Sequence, residues 1–151
     1  MNEVYIMSAT RSPVGAFGGS LKDFDPVDLG AIVAKESIKR SNILPEEIGH
    51  AVFGNVIHTE PRDMYVSRVI ALNSGLNKDS CALTVNRLCG SGLQAIVSAS
   101  QLILLGDTEI ALAGGVEVMS SGTHVVKGFR WGNRMGAVSY THLTLPTIRM
   151  V

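Results

Sequence analysis

The sequence predicts an α/β fold, a mixed and mostly parallel sheet with helices on both faces. Three observations carry this expectation. Four short β-type runs alternate with three helical patterns along the 151 residues, an order that favours parallel strands joined by crossover helices. Gly, Pro and Asp cluster between these segments, where turns and caps are needed. Residues 93–105 carry no charged side chain and are apolar around nearly the whole helix circumference, which marks a central buried helix.

The elements follow in order. Residues 4–9, Val-Tyr-Ile-Met-Ser-Ala, read as a first strand, β-branched and aromatic at the start. A glycine-rich loop follows at Gly15–Gly19. Asp25 and Pro26 supply an N-cap and a proline at the first helical position, with Asp28 close behind. Val27, Ala31, Ala34 and Ile38 lie on one face of that helix. Lys35, Lys39 and Arg40 fall in its last turns, where cations complement the helix dipole. Leu44–Ile48 is a connector, Ala51–Ile57 a second strand and residues 62–73 a second helix. Cys81–Val85 is a third strand, short and mostly apolar, expected to be buried on both faces. The apolar helix 93–105 ends at Gly106-Asp107, and Ile110–Gly115 is a fourth strand.

Composition narrows the function classes. Thirteen basic residues balance thirteen acidic ones, so no basic stripe points to nucleic acid or an anionic membrane surface. Residues 88–106 are nineteen uncharged positions in a row, long enough to span a bilayer. Gly90, Ser91, Gly92, Gln94, Ser98, Ser100 and Gln101 favour instead a buried helix of a soluble protein. No metal site is expected: His50, His58, His124 and His142 are scattered, and the two cysteines, Cys81 and Cys89, form no zinc-ligand spacing. Free thiols and the lack of a secretory pattern at Met1-Asn2-Glu3 point to a reducing, cytoplasmic setting.

Cys89 is the candidate catalytic residue. It follows the third strand and precedes the central helix, within Asn86-Arg87-Leu88-Cys89-Gly90-Ser91-Gly92. In open α/β sheets ligands gather beyond the carboxyl ends of strands. Free backbone N–H groups and the positive end of a helix dipole converge there and favour a thiolate. Gly90 and Gly92 leave room beside the sulfur for a substrate. The same residues also fit a packed core cysteine beside a tight turn, because free Cys is among the most buried residue types. Spacing alone leaves both readings open. Cys81, inside a strand, is expected to be structural.

The sequence around Cys89, residues 86–95, resembles the nucleophile motif of the thiolases. So do residues 8–15 (Ser-Ala-Thr-Arg-Ser-Pro-Val-Gly), Gly54-Asn55-Val56, Leu105-Gly106-Asp107, and residues 113–120 (Ala-Gly-Gly-Val-Glu-Val-Met-Ser). Residues 58–65, His-Thr-Glu-Pro-Arg-Asp-Met-Tyr, are most similar to the β-ketothiolase branch of the acetyl-CoA acetyltransferases. Residues 130–136 resemble the start of that family's loop domain, whereas Ser121–Val125 depart from its Ala-Pro-Tyr-like segment. The resemblance divides the chain into an N-terminal half-domain (1–118), the start of a loop domain (119–136) and a tail (137–151) expected to be non-native or divergent.

The resemblance implies acyl-CoA acyltransfer. Cys89 would take up an acyl group as a thioester, its backbone N–H contributing to the oxyanion hole. Acyl-CoA and CoA would be substrates and no cofactor is implied. A homo-oligomer is expected for a full-length parent, with no nucleic-acid or membrane partner. The family also uses a histidine and a second cysteine from C-terminal motifs resembling Gly-His-Pro and Cys-x-Gly, and neither occurs here. The isolated chain is therefore expected to be inactive. The alternative is a non-catalytic half-domain that acts as a binding module. Residues that would bind substrate are not identifiable from this sequence.

Overall fold

A computed structural model describes residues 3–132 of the chain. Asp25 caps the first helix, α1 (Pro26–Ser41), by accepting from the Val27 N–H. Val27, Ala31, Ala34 and Ile38 are all buried on its inner face. The helix ends at Asn42, which adopts the left-handed conformation. A 3-10 turn over Pro45–Glu47 leads into β1 (His50–Gly54).

The expected helix 62–73 is split. Pro61–Tyr65 forms a 3-10 turn and α2 spans Val66–Asn73. The reason is local: the buried Asp63 carboxylate accepts from the Thr59 N–H, the Thr59 hydroxyl and the Glu60 N–H. That tightens the first turn around Pro61. β2 (Cys81–Val85), α3 (Ser91–Leu105) and β3 (Ala111–Gly115) complete the described elements.

The three strands form a parallel sheet in the order β2-β1-β3. Gly54 lies opposite both Val85 and Gly115, so the strands end level with one another. Helices cover both faces. Successive residues of the central strand alternate between them: Ala51 and Phe53 join Val27, Ala34, Ile38, Val66, Ile70 and Leu112 in one core. Val52 points the other way, to Ala95 and Ala99 of α3. Small residues at this second contact let the helix lie close to the sheet.

Three expectations need correction. Residues 4–9 form no strand; Tyr5 and Ile6 are 71% and 78% exposed. A strand needs a neighbour to pair with, and this segment lies instead along α1, where Ser8 meets the Ser37 hydroxyl and Thr10 donates to the Val33 carbonyl. β2 is not buried on both faces, because α3 packs mainly against β1 and β3; Cys81 and Leu83 are exposed. α3 begins two residues earlier than expected, and burial follows only the stripe of Ser91, Ala95 and Ala99. Leu93, on the opposite face, and Leu105, at the last position of the helix, are 70% and 77% exposed. Residues 137–151 lie outside the described residues.

Candidate active site

Cys89 stands on the turn between β2 and α3, at the carboxyl edge of the sheet, and is exposed. The bland alternative, a cysteine packed in the core, does not hold in this structure. Cys81 is also exposed, but at the opposite, N-terminal end of β2.

The turn is built from its own side chains. Leu88 adopts a left-handed backbone with φ 50°, an unfavourable conformation for a branched residue. Asn86 answers this by accepting from the Leu88 N–H at 3.1 Å, as an Asx turn does. The buried Ser91 hydroxyl accepts from the Arg87 N–H at 2.8 Å and donates to the Leu88 carbonyl at 2.6 Å. The Ser91 and Gly90 N–H groups donate to Leu88 and Arg87 carbonyls. Cys89 is thus held at the apex of a closed loop, directly before the N-terminus of α3.

Two glycines seat this loop on the sheet. A Cβ on Gly54 would lie 2.6 Å from the Ser91 Cβ and 2.7 Å from its carbonyl carbon. A Cβ on Gly115 would lie 3.3 Å from the Gly92 Cα. The first turn of α3 therefore rests on bare backbone at the ends of β1 and β3. This is a physical reason for Gly54 and Gly115, whereas Gly114 makes room for the Phe53 ring, 2.6 Å from where its Cβ would lie.

The neighbouring loops are stapled to each other. Glu117 accepts from the Val56 and Ile57 N–H groups at 2.9 and 3.0 Å and from the Asn55 amide at 3.3 Å. Ser120 accepts from the Gly18 N–H, and Ser121 donates to the Lys22 carbonyl. Arg62 pairs with Asp25 and Glu60, tying the loop after β1 to the cap of α1. A shallow cavity of about 250 Å³ between these loops is lined by Asp23, Phe24, Asp25, Thr59, Glu60 and Ser121 and does not include Cys89. His58 and His124 give no cysteine–histidine pair: among the described residues neither side chain bonds to the Cys89 thiol, and Thr123 donates to the His58 carbonyl. The described residues also place no cluster of three His, Cys, Asp or Glu that could hold a metal ion.

Sequence reasoning singled out Cys89 and the glycines. It missed the roles of Asn86, Ser91 and Glu117. Asn two positions before a left-handed residue is a readable turn signal, whereas the reach of Glu117 to residues 61 positions away leaves no local trace.

Comparison with known proteins agrees with this architecture. The family described as thiolase, N-terminal domain, matches residues 4–150. The chain is 54% identical over 143 residues to a beta-ketothiolase, BktB, of Cupriavidus necator, covering 95% of this chain and 36% of that protein. It is 42% identical to an acetyl-CoA acetyltransferase of the same organism, covering 90% and 34%. A crystal structure of human mitochondrial 3-ketoacyl-CoA thiolase in complex with CoA superposes with a TM-score of 0.84 at 38% identity, covering 88% of this chain and 34% of that one. The acetyl-CoA acetyltransferase of Bacillus anthracis gives a TM-score of 0.82 at 40% identity, covering 87% and 33%. The chain spans about a third of the length of these relatives. With the family match spanning residues 4–150 and the parallel sheet, the chain belongs to the thiolase family.

Proposed function

We propose that this chain supplies the nucleophile portion of an acyl-CoA acyltransferase, with Cys89 as the acyl carrier. The observation that carries this reading is an exposed thiol, on a constrained turn, at the N-terminus of a helix and the carboxyl edge of a parallel sheet. The Cys89 sulfur, as thiolate, attacks the carbonyl carbon of an acyl-CoA. The bond from that carbon to the CoA sulfur breaks, and CoA leaves as a thiolate that takes up a proton. A thioester on Cys89 remains. In synthesis, a second acyl-CoA gives its α-proton to the base that the complete enzyme supplies, and its α-carbon attacks this thioester, forms the new C–C bond and releases the Cys89 thiolate as 3-oxoacyl-CoA is made. In degradation the steps run backwards. A thiolate suits both directions because it is a strong nucleophile and also a competent leaving group. The Cys89 N–H assists by facing the oxyanion.

The proton-moving histidine and cysteine that the family resemblance implies do not occur in these 151 residues. The chain alone therefore gives no turnover. Acyl-CoA and CoA are the proposed partners, no separate cofactor is required, and a reducing compartment keeps the thiol available. A homo-oligomer is proposed only for a complete enzyme. The test is acetoacetyl-CoA thiolysis by the purified chain. None is expected; thiolysis that disappears in Cys89→Ala would refute the inactivity.

A second reading has its own observation. Among the described residues, α3 leaves Leu93, Ile96 and Val97 in its first half and Leu104 and Leu105 at its end uncovered, apolar side chains of the kind that gather at interaction sites. A non-catalytic binding module would use it to form a discrete complex. An aggregated or unfolded chain in sedimentation counts against that reading.

A further inference from the structure

We propose that Glu117 and Asn86 are positioning residues for Cys89, the two ends of one hydrogen-bonded clamp on the nucleophile turn. The proposal rests on Cys89 being the nucleophile. Leu88, next to Cys89, sits in the left-handed region, a conformation that relaxes unless its surroundings fix it. Asn86 fixes it through the Leu88 N–H at 3.1 Å. Asn86 is itself tied down, because its amide donates to the Val56 carbonyl at 3.5 Å. That single long bond is weak, but a second link runs beside it: the Asn55 N–H donates to the Val85 carbonyl at 3.2 Å.

Both links depend on where residues 55–57 lie, and one carboxylate sets that. Glu117 collects the Val56 N–H, the Ile57 N–H and the Asn55 amide, and the Asn55 amide also donates to the Val116 carbonyl. Glu117 follows β3, residues 55–57 follow β1, and Asn86 follows β2. The clamp thus crosses the carboxyl ends of all three strands and finishes at the residue before the nucleophile. A carboxylate suits this task because it accepts several N–H bonds at once, and charge-assisted bonds are the stronger ones. A glutamine there offers one oxygen and turns an N–H toward an N–H.

The purely structural alternative is that Glu117 only stiffens the loop after β1. The two cysteines separate these cases. Cys81 and Cys89 are both exposed and stand at opposite ends of the β2 region, so general loosening affects both thiols, and a clamp defect affects one. The experiment is limited alkylation of the 151-residue chain with iodoacetamide, mapped by peptide mass spectrometry, for wild type, Glu117→Gln and Asn86→Ala. Urea midpoints are measured beside it.

Glu117→Gln is expected to lower the Cys89-to-Cys81 labelling ratio by about fivefold, the scale of the difference between a charge-assisted hydrogen bond and a neutral one. Asn86→Ala, an exposed substitution that leaves the core intact, shifts the ratio in the same direction. An unchanged ratio in either variant overturns the proposal, whatever happens to the midpoint. A wild-type ratio of about one or less would instead contradict Cys89 as the favoured nucleophile, given that both thiols are exposed. The two failures are read from different samples.

Discussion

Gly54→Ala tests whether the seat of α3 on the sheet is a real constraint. The added Cβ would lie 2.6 Å from the Ser91 Cβ and 2.7 Å from the Ser91 carbonyl carbon. Carbon atoms rest at about 3.5–4.0 Å, so the shortfall is about 1 Å. The obstructing atoms are backbone and a first-carbon side chain in the opening turn of α3, and no rotamer change moves them aside. Overpacking of this kind costs about 1–3 kcal/mol. Removing a glycine from a strand returns about 0.5–1 kcal/mol, which leaves a net loss of up to about 2.5 kcal/mol. The first turn of α3 must also shift, and Cys89 stands directly before it. Urea unfolding measures the stability, and mapped alkylation of Cys89 against Cys81 measures the turn. A Gly54→Ala chain with the wild-type midpoint and the wild-type labelling ratio would refute the close approach of helix and strand.

Further expectations come from the same geometry. Ser91→Ala leaves the Arg87 N–H and Leu88 carbonyl without the partner they share, and should cost about 1–3 kcal/mol in a urea titration. Asp25→Ala removes the cap of α1 and the partner of Arg62; the cap alone contributes about 0.5–2 kcal/mol, read as a lower thermal midpoint. Leu93→Glu with Leu105→Lys on the open flank of α3 should leave stability within about 0.5 kcal/mol while reducing self-association in sedimentation velocity. His50 is held below its ordinary value of 6.5 by desolvation, with Asp107 opposing. A depressed pKa means that the unfolded chain binds the proton more readily. The stabilising contribution of neutral His50 is therefore present above about pH 6.5 and is lost as pH falls through the lower folded value. His50→Gln should flatten that part of the stability–pH curve; an unchanged slope would contradict the burial.

The parts of the fold that are written locally were legible. α1 follows from a cap, a proline and four apolar residues at helical spacing, and all four are buried. Cys81–Val85 has the bounds that its apolar run suggests. Burial and pairing depend on neighbours and were not legible. Residues 4–9 carry strand composition but meet a helix, not a strand. β2 is as apolar as a central strand yet lies at an edge of the sheet that the described residues form. For α3, composition describes what the helix would prefer to touch, and the described residues cover one stripe of it. At the site, the cysteine and its glycines stand out because their spacing is short. The left-handed Leu88 is hidden in a leucine, a residue that gives no hint of it. Glu117 was read only as part of a motif, because its partners belong to another strand's loop.

The proposed role of Cys89 is that of an acyl-carrying nucleophile that turns over only with groups outside these 151 residues. Its most direct test is to co-express this chain with the C-terminal remainder of the Cupriavidus necator beta-ketothiolase and assay the purified complex for acetoacetyl-CoA thiolysis. Thiolysis is expected, and it should vanish in Cys89→Ala and survive Cys81→Ala. A stable complex that shows no thiolysis, or thiolysis indifferent to Cys89→Ala, would contradict it.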